Sequence, residues 1–302
     1  MKLASIDIGS NAARLQVSRL LLPANGQKKF KRVEYLRFPL RLGDDVFKQQ
    51  RVSAQSEKKL IQLLHALKLL IELYGVDAYM ICATSALREA NNKLEIVQRI
   101  KEVLGLSVDI VDGDQEAALI ARAIQPLLGD HNYLHVDAGG GSTEVSFYIG
   151  SKQVASRSFK IGTVKLLENH DVETVWEEMQ TWIHTQRQRY TRTPIGIATG
   201  GNIRKLAQLA GGGVRKPFSL KRLKAMQDYL STYSLKERIN KLELNPDRAD
   251  VILPAAQIYA TAMKWGGVKK ILVPDISLRD GIIQVLYERL SQKSDRACVC
   301  TA

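Results

Sequence analysis

Residues 136–145 read VDAGGGSTEV, which sets Asp137, the consecutive glycines Gly139, Gly140 and Gly141, the hydroxyls of Ser142 and Thr143, and Glu144 among strand-forming residues. Three bare residues in a row cost backbone entropy, so they point to a conformation or a close approach that side chains would block. A phosphate is the first ligand to consider. The familiar phosphate loops run from a strand into a helix as G-x-x-x-x-G-K-[ST] or G-x-G-x-x-G, and this stretch matches neither. After Glu144 the chain continues VSFYIGSKQVASRSF, rich in strand formers with Gly-Ser as punctuation. That pattern predicts a hairpin. Taken alone, an ordinary glycine-rich turn accounts for the motif equally well.

The elements around it repeat. LASIDIGSNAARLQV (3–17) and LHVDAGGGSTEVSFY (134–148) share an apolar strand, Asp-x-Gly, a small polar turn and a second strand. YMICATSALREAN (79–91) and IGIATGGNIRKLA (195–207) follow in the same order, each a strand, Ala-Thr, small residues and a helix carrying an arginine. Two pairs in one order imply a duplicated α/β domain. Between the pairs, Leu60, Leu63, Leu64, Leu67, Leu70 and Ile71 have amphipathic helical spacing, with a serine at the start and Gly75 at the end. His65 is read as a partly buried residue of that face rather than a ligand. A second helix covers 171–190, where Trp176 and Trp182 are read as packing residues; further helices start near Ser219, Asp247 and Asp280, and 269–274 is a late buried strand. The boundary is placed between Pro126 and Asn132, giving domains 1–127 and 128–302, with the last helix free to pack back on the first domain.

The 302 residues are 45% hydrophobic and 25% charged, an ordinary globular composition with room for two domains. Asp7 comes too early for a secretory leader and no stretch is apolar enough to span a membrane, so a cytoplasmic protein without membrane partners is expected. Cys82, Cys298 and Cys300 make no disulfide framework, and the C-V-C tail is read as a loose end. A net charge of +13 favours polyanionic partners. Basic clusters lie at 27–32 and 215–224; no zinc finger, RNA-recognition signature or basic zipper accompanies them, which weighs against nucleic acid as the partner.

Eight stretches then occur in a telling order: DIGSNAARL (7–15), RLGDDVF (41–47), ATSALREAN (83–91), DGDQEAALI (112–120), DAGGGSTEVS (137–146), IGTVKLLE (161–168), TGGNIRKLA (199–207) and ADVILPAAQIYATAM…LVPDISLRDGII (249–283). In this order they resemble the Ppx/GppA phosphatase family, the exopolyphosphatases and guanosine pentaphosphate phosphohydrolases of the actin, sugar kinase and heat-shock ATPase superfold. The resemblance implies two ribonuclease-H-like domains, an active site in the cleft between them, and Mg²⁺-dependent (or Mn²⁺-dependent) hydrolysis of a terminal phosphoanhydride. The glycines would then let backbone N–H groups surround phosphate oxygens.

The resemblance also distributes roles. Glu116 takes the place of the family's catalytic glutamate, orienting or deprotonating water; with Asp114 as N-cap, the helix dipole alone also favours an acid there. Asp137 and Glu144 resemble metal ligands, with Asp7 as the duplicated counterpart. Gly9, Ser10, Asn11, Gly139, Gly140, Gly141, Ser142 and Thr143 would supply phosphate-binding groups, and Gly200, Gly201 and Asn202 a further loop. Arg88 and Arg14 match arginines that contact phosphate, while Lys165 and Arg279 would line a polyanion channel. The chain departs from the family pattern at Gln115, where a glutamate is usual, and at Ala118, Ala12, Lys165 and the sequence LRDG.

An exopolyphosphatase is the leading expectation, because a long polyanion gains most from an extended basic track. Guanosine pentaphosphate hydrolysis is the enzymatic alternative. Gln115 and Ala118 motivate a non-catalytic polyphosphate or alarmone sensor, and the shared superfold a kinase. The family resemblance also implies a homodimer.

Overall fold

The computed structural model of the protein describes residues 1–23, 28–168, 172–211 and 217–299. Gln27, Arg215 and Lys216 of the basic clusters and Cys300 of the tail lie outside them. Cys82 is buried and in no disulfide.

The strands are β1 (Lys2–Ile8), β2 (Ala13–Leu21), β3 (Lys29–Phe38), β4 (Ala78–Ala83), β5 (Asp109–Ile110), β6 (Asn132–Ala138), β7 (Thr143–Ile149), β8 (Lys152–Phe159), β9 (Ile195–Thr199), β10 (Phe218–Ser219) and β11 (Lys270–Leu272). The helices are α1 (Leu42–Gln49), α2 (Ala54–Leu73), α3 (Ser85–Glu89), α4 (Lys93–Leu104), α5 (Gly113–Ile124), α6 (Thr163–Leu167), α7 (Glu173–Arg187), α8 (Gly201–Leu209), α9 (Leu220–Ser231), α10 (Leu235–Asn240), α11 (Pro246–Ala249), α12 (Ile252–Trp265) and α13 (Leu278–Val299). None of the described helices is long and apolar enough to cross a membrane.

The chain forms two compact units, Met1–Asp112 with Leu278–Ala302, and Gly113–Ser277. In the first, the sheet order is β3-β2-β1-β4-β5, antiparallel from β3 to β1 and parallel from β1 to β5. In the second it is β8-β7-β6-β9-β11-β10, antiparallel from β8 to β6 and parallel from β6 to β11. Without the added antiparallel edge strand β10, the second sheet repeats the order of the first. The α/β class and the duplication expected from the sequence are both present.

Residues 113–127, placed with the first domain from sequence, lie in the second unit, because α5 packs on β7 and β8. In turn α13 packs on β1 and β4 of the first. The α5 helix starts at Gly113, so Asp114 lies within its first turn rather than capping it. A Cβ on Gly113 would sit 2.5 Å from the Ser158 side chain. The bare glycine lets the helix begin hard against β8.

The predicted α2 stripe buries Leu60, Leu63, Leu64, Leu67 and Ile71, and the Ser53 hydroxyl caps the helix by accepting from the Ser56 N–H. His65 is exposed, not part of the buried face. It follows Leu64 by one residue, about 100° around the helix. Trp176 and Trp182 pack against the core of the second unit, with the Trp182 ring 5.8 Å from that of Phe147.

Candidate active site

Each unit builds a turn at the end of its first strand, and in both the glycine of Asp-x-Gly closes it by donating its N–H to the carbonyl three residues on. In the first unit the Gly9 N–H donates to the Ala12 carbonyl at 3.1 Å, closing the β1–β2 hairpin. The Ser10 and Asn11 carbonyls accept from the Gly43 and Arg41 N–H groups at the start of α1 (2.8 and 3.0 Å). Ser10 and Ser85 share a hydrogen bond of 2.7 Å between their hydroxyls, which ties the turn to α3. Arg88 lies on that helix and its guanidinium donates to the Val111 carbonyl at 2.8 Å.

In the second unit the Gly139 N–H donates to the Ser142 carbonyl at 2.9 Å. The Gly139 carbonyl accepts from the Thr163 N–H at 2.9 Å, and that of Gly140 from the Val164 N–H at 2.8 Å. These carbonyls therefore point at the start of α6, the helix that carries the buried Lys165. In a trans peptide the next N–H points the opposite way, so the Gly140 and Gly141 N–H groups face away from α6. A Cβ on Gly162 would come within 2.4 Å of the Gly140 and Gly141 backbones, so only glycine lets α6 approach this closely. The Thr143 hydroxyl donates to the Ile161 carbonyl at 2.7 Å and pins the far side of the turn.

The two units differ at the residues facing each other across their hairpins. Asp7 opposes Arg14, whereas Asp137 opposes Glu144. Arg14 donates to Asp7 Oδ2 at 2.9 Å, and the buried Arg279 of α13 reaches the same oxygen at 3.4 Å while its guanidinium lies 5.0 Å from the Tyr35 ring centre. Burial and then the neighbouring Arg14 charge push the Arg279 pKa down. Asp7 is thus the carboxylate of an internal ion-pair cluster.

Asp137 and Glu144 form a pair of like charges, an arrangement that is destabilising when directly opposed. A shared cation would offset that repulsion. Among the described residues no group of three or more His, Cys, Asp or Glu side chains could hold a metal ion. Two opposed carboxylates are a donor set that could hold Mg²⁺, which commonly takes one or two protein carboxylates with water completing the shell.

Each of these carboxylates also has a hydroxyl donor that the sequence did not reveal. Ser158 Oγ donates to Glu144 Oε1 at 2.9 Å, and Thr199 Oγ1 to Asp137 Oδ2 at 2.8 Å. Because Gly113 rests on Ser158, the first turn of α5, with Glu116 buried in it, stands against β8, and the helix also packs on β7, the strand that carries Glu144. Gly200 (φ 112°) precedes α8, which begins at Gly201 and Asn202; its missing Cβ would lie 3.1 Å from Asp137 Oδ1 and 2.9 Å from the Tyr259 hydroxyl. Burial lowers the His135 pKa to about 3 and raises that of Tyr259 well above its ordinary value.

The second unit thus gathers Glu116, Asp137, Gly139, Gly140, Gly141, Ser142, Thr143, Glu144, Lys165, Gly200, Gly201 and Asn202 on neighbouring elements. The first gathers Asp7, Gly9, Ser10, Asn11, Arg14, Arg88 and Arg279. Ser158, Thr199, His135 and Tyr259 escaped sequence reasoning. The one available signal was the match of Thr199 to Thr84 in the repeated Ala-Thr element.

The sequence pattern of the Ppx/GppA phosphatase family matches residues 23–290. The chain belongs to the Ppx/GppA phosphatase family. As a member of that phosphatase family it is a hydrolase. Exopolyphosphatase 1 of Mycobacterium tuberculosis is 22% identical over 94% of this chain and 87% of its own length. The guanosine-5'-triphosphate,3'-diphosphate pyrophosphatase of Photobacterium profundum is 25% identical over 96% of this chain, which spans 59% of that longer protein. Among solved structures, the Aquifex aeolicus Ppx/GppA family member superposes with a TM-score of 0.75 at 27% identity, covering 95% of this chain and 98% of that one. An exopolyphosphatase from Cytophaga hutchinsonii shares the fold with a TM-score of 0.83 at 20% identity, over 95% of this chain and 98% of its own.

Proposed function

We propose that the protein is an exopolyphosphatase, removing terminal orthophosphate from inorganic polyphosphate by in-line attack of water. The observation that carries this reading is the grouping, within one unit, of an opposed carboxylate pair, a triple-glycine turn with two N–H groups facing away from α6 and a helix bearing a buried glutamate. The Gly140 and Gly141 N–H groups and Ser142 hold oxygens of the terminal phosphate, while Thr143 keeps the turn in place through its bond to the Ile161 carbonyl. Glu116 accepts the proton of the attacking water as its oxygen bonds to the terminal phosphorus. The bond from that phosphorus to the bridging oxygen breaks, and the shortened chain leaves with its electron pair. Mg²⁺ (or Mn²⁺) held by Asp137 and Glu144 would supply charge neutralisation on the phosphate oxygens. Lys165, on the helix that abuts this turn, contributes positive charge toward the polyanion.

The net charge of +13 favours a polymer over a compact nucleotide. Guanosine pentaphosphate is the second substrate to test, because the Photobacterium relative is named for that activity. The test is orthophosphate release from long polyphosphate and from guanosine pentaphosphate, with Mg²⁺ and with EDTA, for the wild type beside Glu116→Gln. Metal-dependent release that falls about 100-fold or more in the variant supports the reading. Binding of both anions without release by the wild type would make the protein a sensor.

A further inference from the structure

Side chains of β6, β9 and α12, namely His135, Thr199 and Tyr259, form a hydrogen-bonded cluster that reaches Asp137 through Thr199. Thr199 ends β9 directly beside Asp137 on β6, and its hydroxyl donates to Asp137 Oδ2 at 2.8 Å. The same hydroxyl oxygen lies 2.9 Å from His135 Nε2, and both His135 and Thr199 are buried. A threonine hydroxyl has one proton and an ionised carboxylate has none to give. With that proton directed at Asp137, the Thr199 oxygen must accept from His135, so His135 carries its hydrogen on Nε2.

Tyr259 of α12 fixes the backbone on either side. Its hydroxyl donates to the Thr199 carbonyl at 2.5 Å and accepts from the Ala138 N–H at 3.0 Å. The residue after Asp137 and the residue donating to Asp137 are thereby tied to one phenol. Gly200 leaves Asp137 and Tyr259 room to approach.

We infer that Thr199 is a positioning residue for Asp137, its hydroxyl oriented by the Nε2–H of His135 and its backbone by Tyr259. The inference rests on the reading of Asp137 as the carboxylate that holds the divalent cation. The hydroxyl holds Oδ2 in one direction, so Oδ1 is presented in one orientation. Without it the carboxylate can turn about its Cβ–Cγ bond, and the loss falls on cation affinity and turnover rather than on polymer binding.

The test compares the wild type with Thr199→Val, which keeps the shape and removes the hydroxyl, and Thr199→Ser, which restores the hydroxyl. Mn²⁺ binding by calorimetry, kcat and KM on long polyphosphate, and the His135 tautomer from ¹⁵N NMR of the imidazole are measured on each. Thr199→Val is expected to weaken Mn²⁺ binding and lower kcat by about 10- to 100-fold with KM unchanged, and Thr199→Ser to recover most of both. The wild-type His135 is expected as the Nε2–H tautomer, a readout that needs no variant to fold. Wild-type Mn²⁺ affinity and kcat in Thr199→Val, or an Nδ1–H tautomer in the wild type, would overturn the inference. A wild type that shows the Nε2–H tautomer yet neither binds Mn²⁺ nor releases orthophosphate would sink the hydrolase reading and this role with it, leaving only the hydrogen-bond chain.

Discussion

Replacing Gly162 by alanine tests whether the triple-glycine turn holds the reacting phosphate. Gly162 has φ −150° and ψ 170°, extended backbone that alanine adopts without strain, so crowding is the only perturbation. The new Cβ would lie 2.4 Å from the Gly140 carbonyl group and the Gly141 nitrogen, where ordinary contacts begin at 3.4 Å. These are backbone atoms and cannot rotate away. The Gly140–Gly141 peptide or the start of α6 must therefore retreat by about 1 Å, and such overpacking costs about 1–3 kcal/mol of stability. A 1 Å displacement of groups that position a substrate can cost about 100-fold in rate. The expected result is a folded protein with a lowered melting temperature and a kcat for polyphosphate reduced by about two orders of magnitude. Gly129→Ala is the control, since its Cβ would meet only the Tyr133 hydroxyl at 3.7 Å. Circular dichroism melting and orthophosphate release measure both variants. Wild-type kcat and KM in folded Gly162→Ala would refute the placement of the phosphate on this turn.

Gly200→Ala combines a positive φ of 112° with a Cβ 2.9 Å from the Tyr259 hydroxyl and 3.1 Å from Asp137 Oδ1; thermal melting should show a loss of about 1–3 kcal/mol. Asp7→Ala removes the carboxylate that Arg14 and the buried Arg279 share. Urea unfolding should reveal a loss of about 3 kcal/mol, as for a buried charge left without its partner. The exposed Glu237 carboxyl is lowered from 4.5 to about 2, first by the Lys241 side-chain hydrogen bond and then by the Ser234 N–H. Its folded pKa lies below its unfolded one, so its contribution is complete above pH 4.5 and fades as the pH falls toward 2. Acid titration of helix content should show Glu237→Gln losing less stability than the wild type across that window.

Much of the fold was legible because its signals are local. The Asp-x-Gly turns, the strand alternation around them and the repeated Ala-Thr elements each lie within about 15 residues and follow from backbone period and turn chemistry. What escaped depends on contacts distant in sequence. The allegiance of α5 is decided by the face of β8 it covers, through Gly113 on Ser158, and no pattern inside 113–124 encodes that. His65 adjoins Leu64 in sequence but lies off the buried stripe of α2, so proximity in the chain misplaced it. His135 and Tyr259 reach Thr199 across separations of 64 and 60 residues. In isolation the first reads as one polar residue in an apolar strand and the second as one aromatic in a buried helix.

The chain's route through its two units also bears on the order in which they are completed during synthesis. The second unit is one continuous segment, Gly113–Ser277, whereas the first is interrupted by it and resumes at Leu278. Until α13 is made, β1 lacks its helical cover, Asp7 lacks Arg279, and Gln16 lacks the Asp280 carboxylate that accepts from its amide at 2.9 Å. Domains tend to fold as units and from the N-terminus onward as the chain emerges. Here the unit that begins first is finished last: a nascent chain that has reached Ser277 already holds every residue of the second unit while the first still waits for its closing helix.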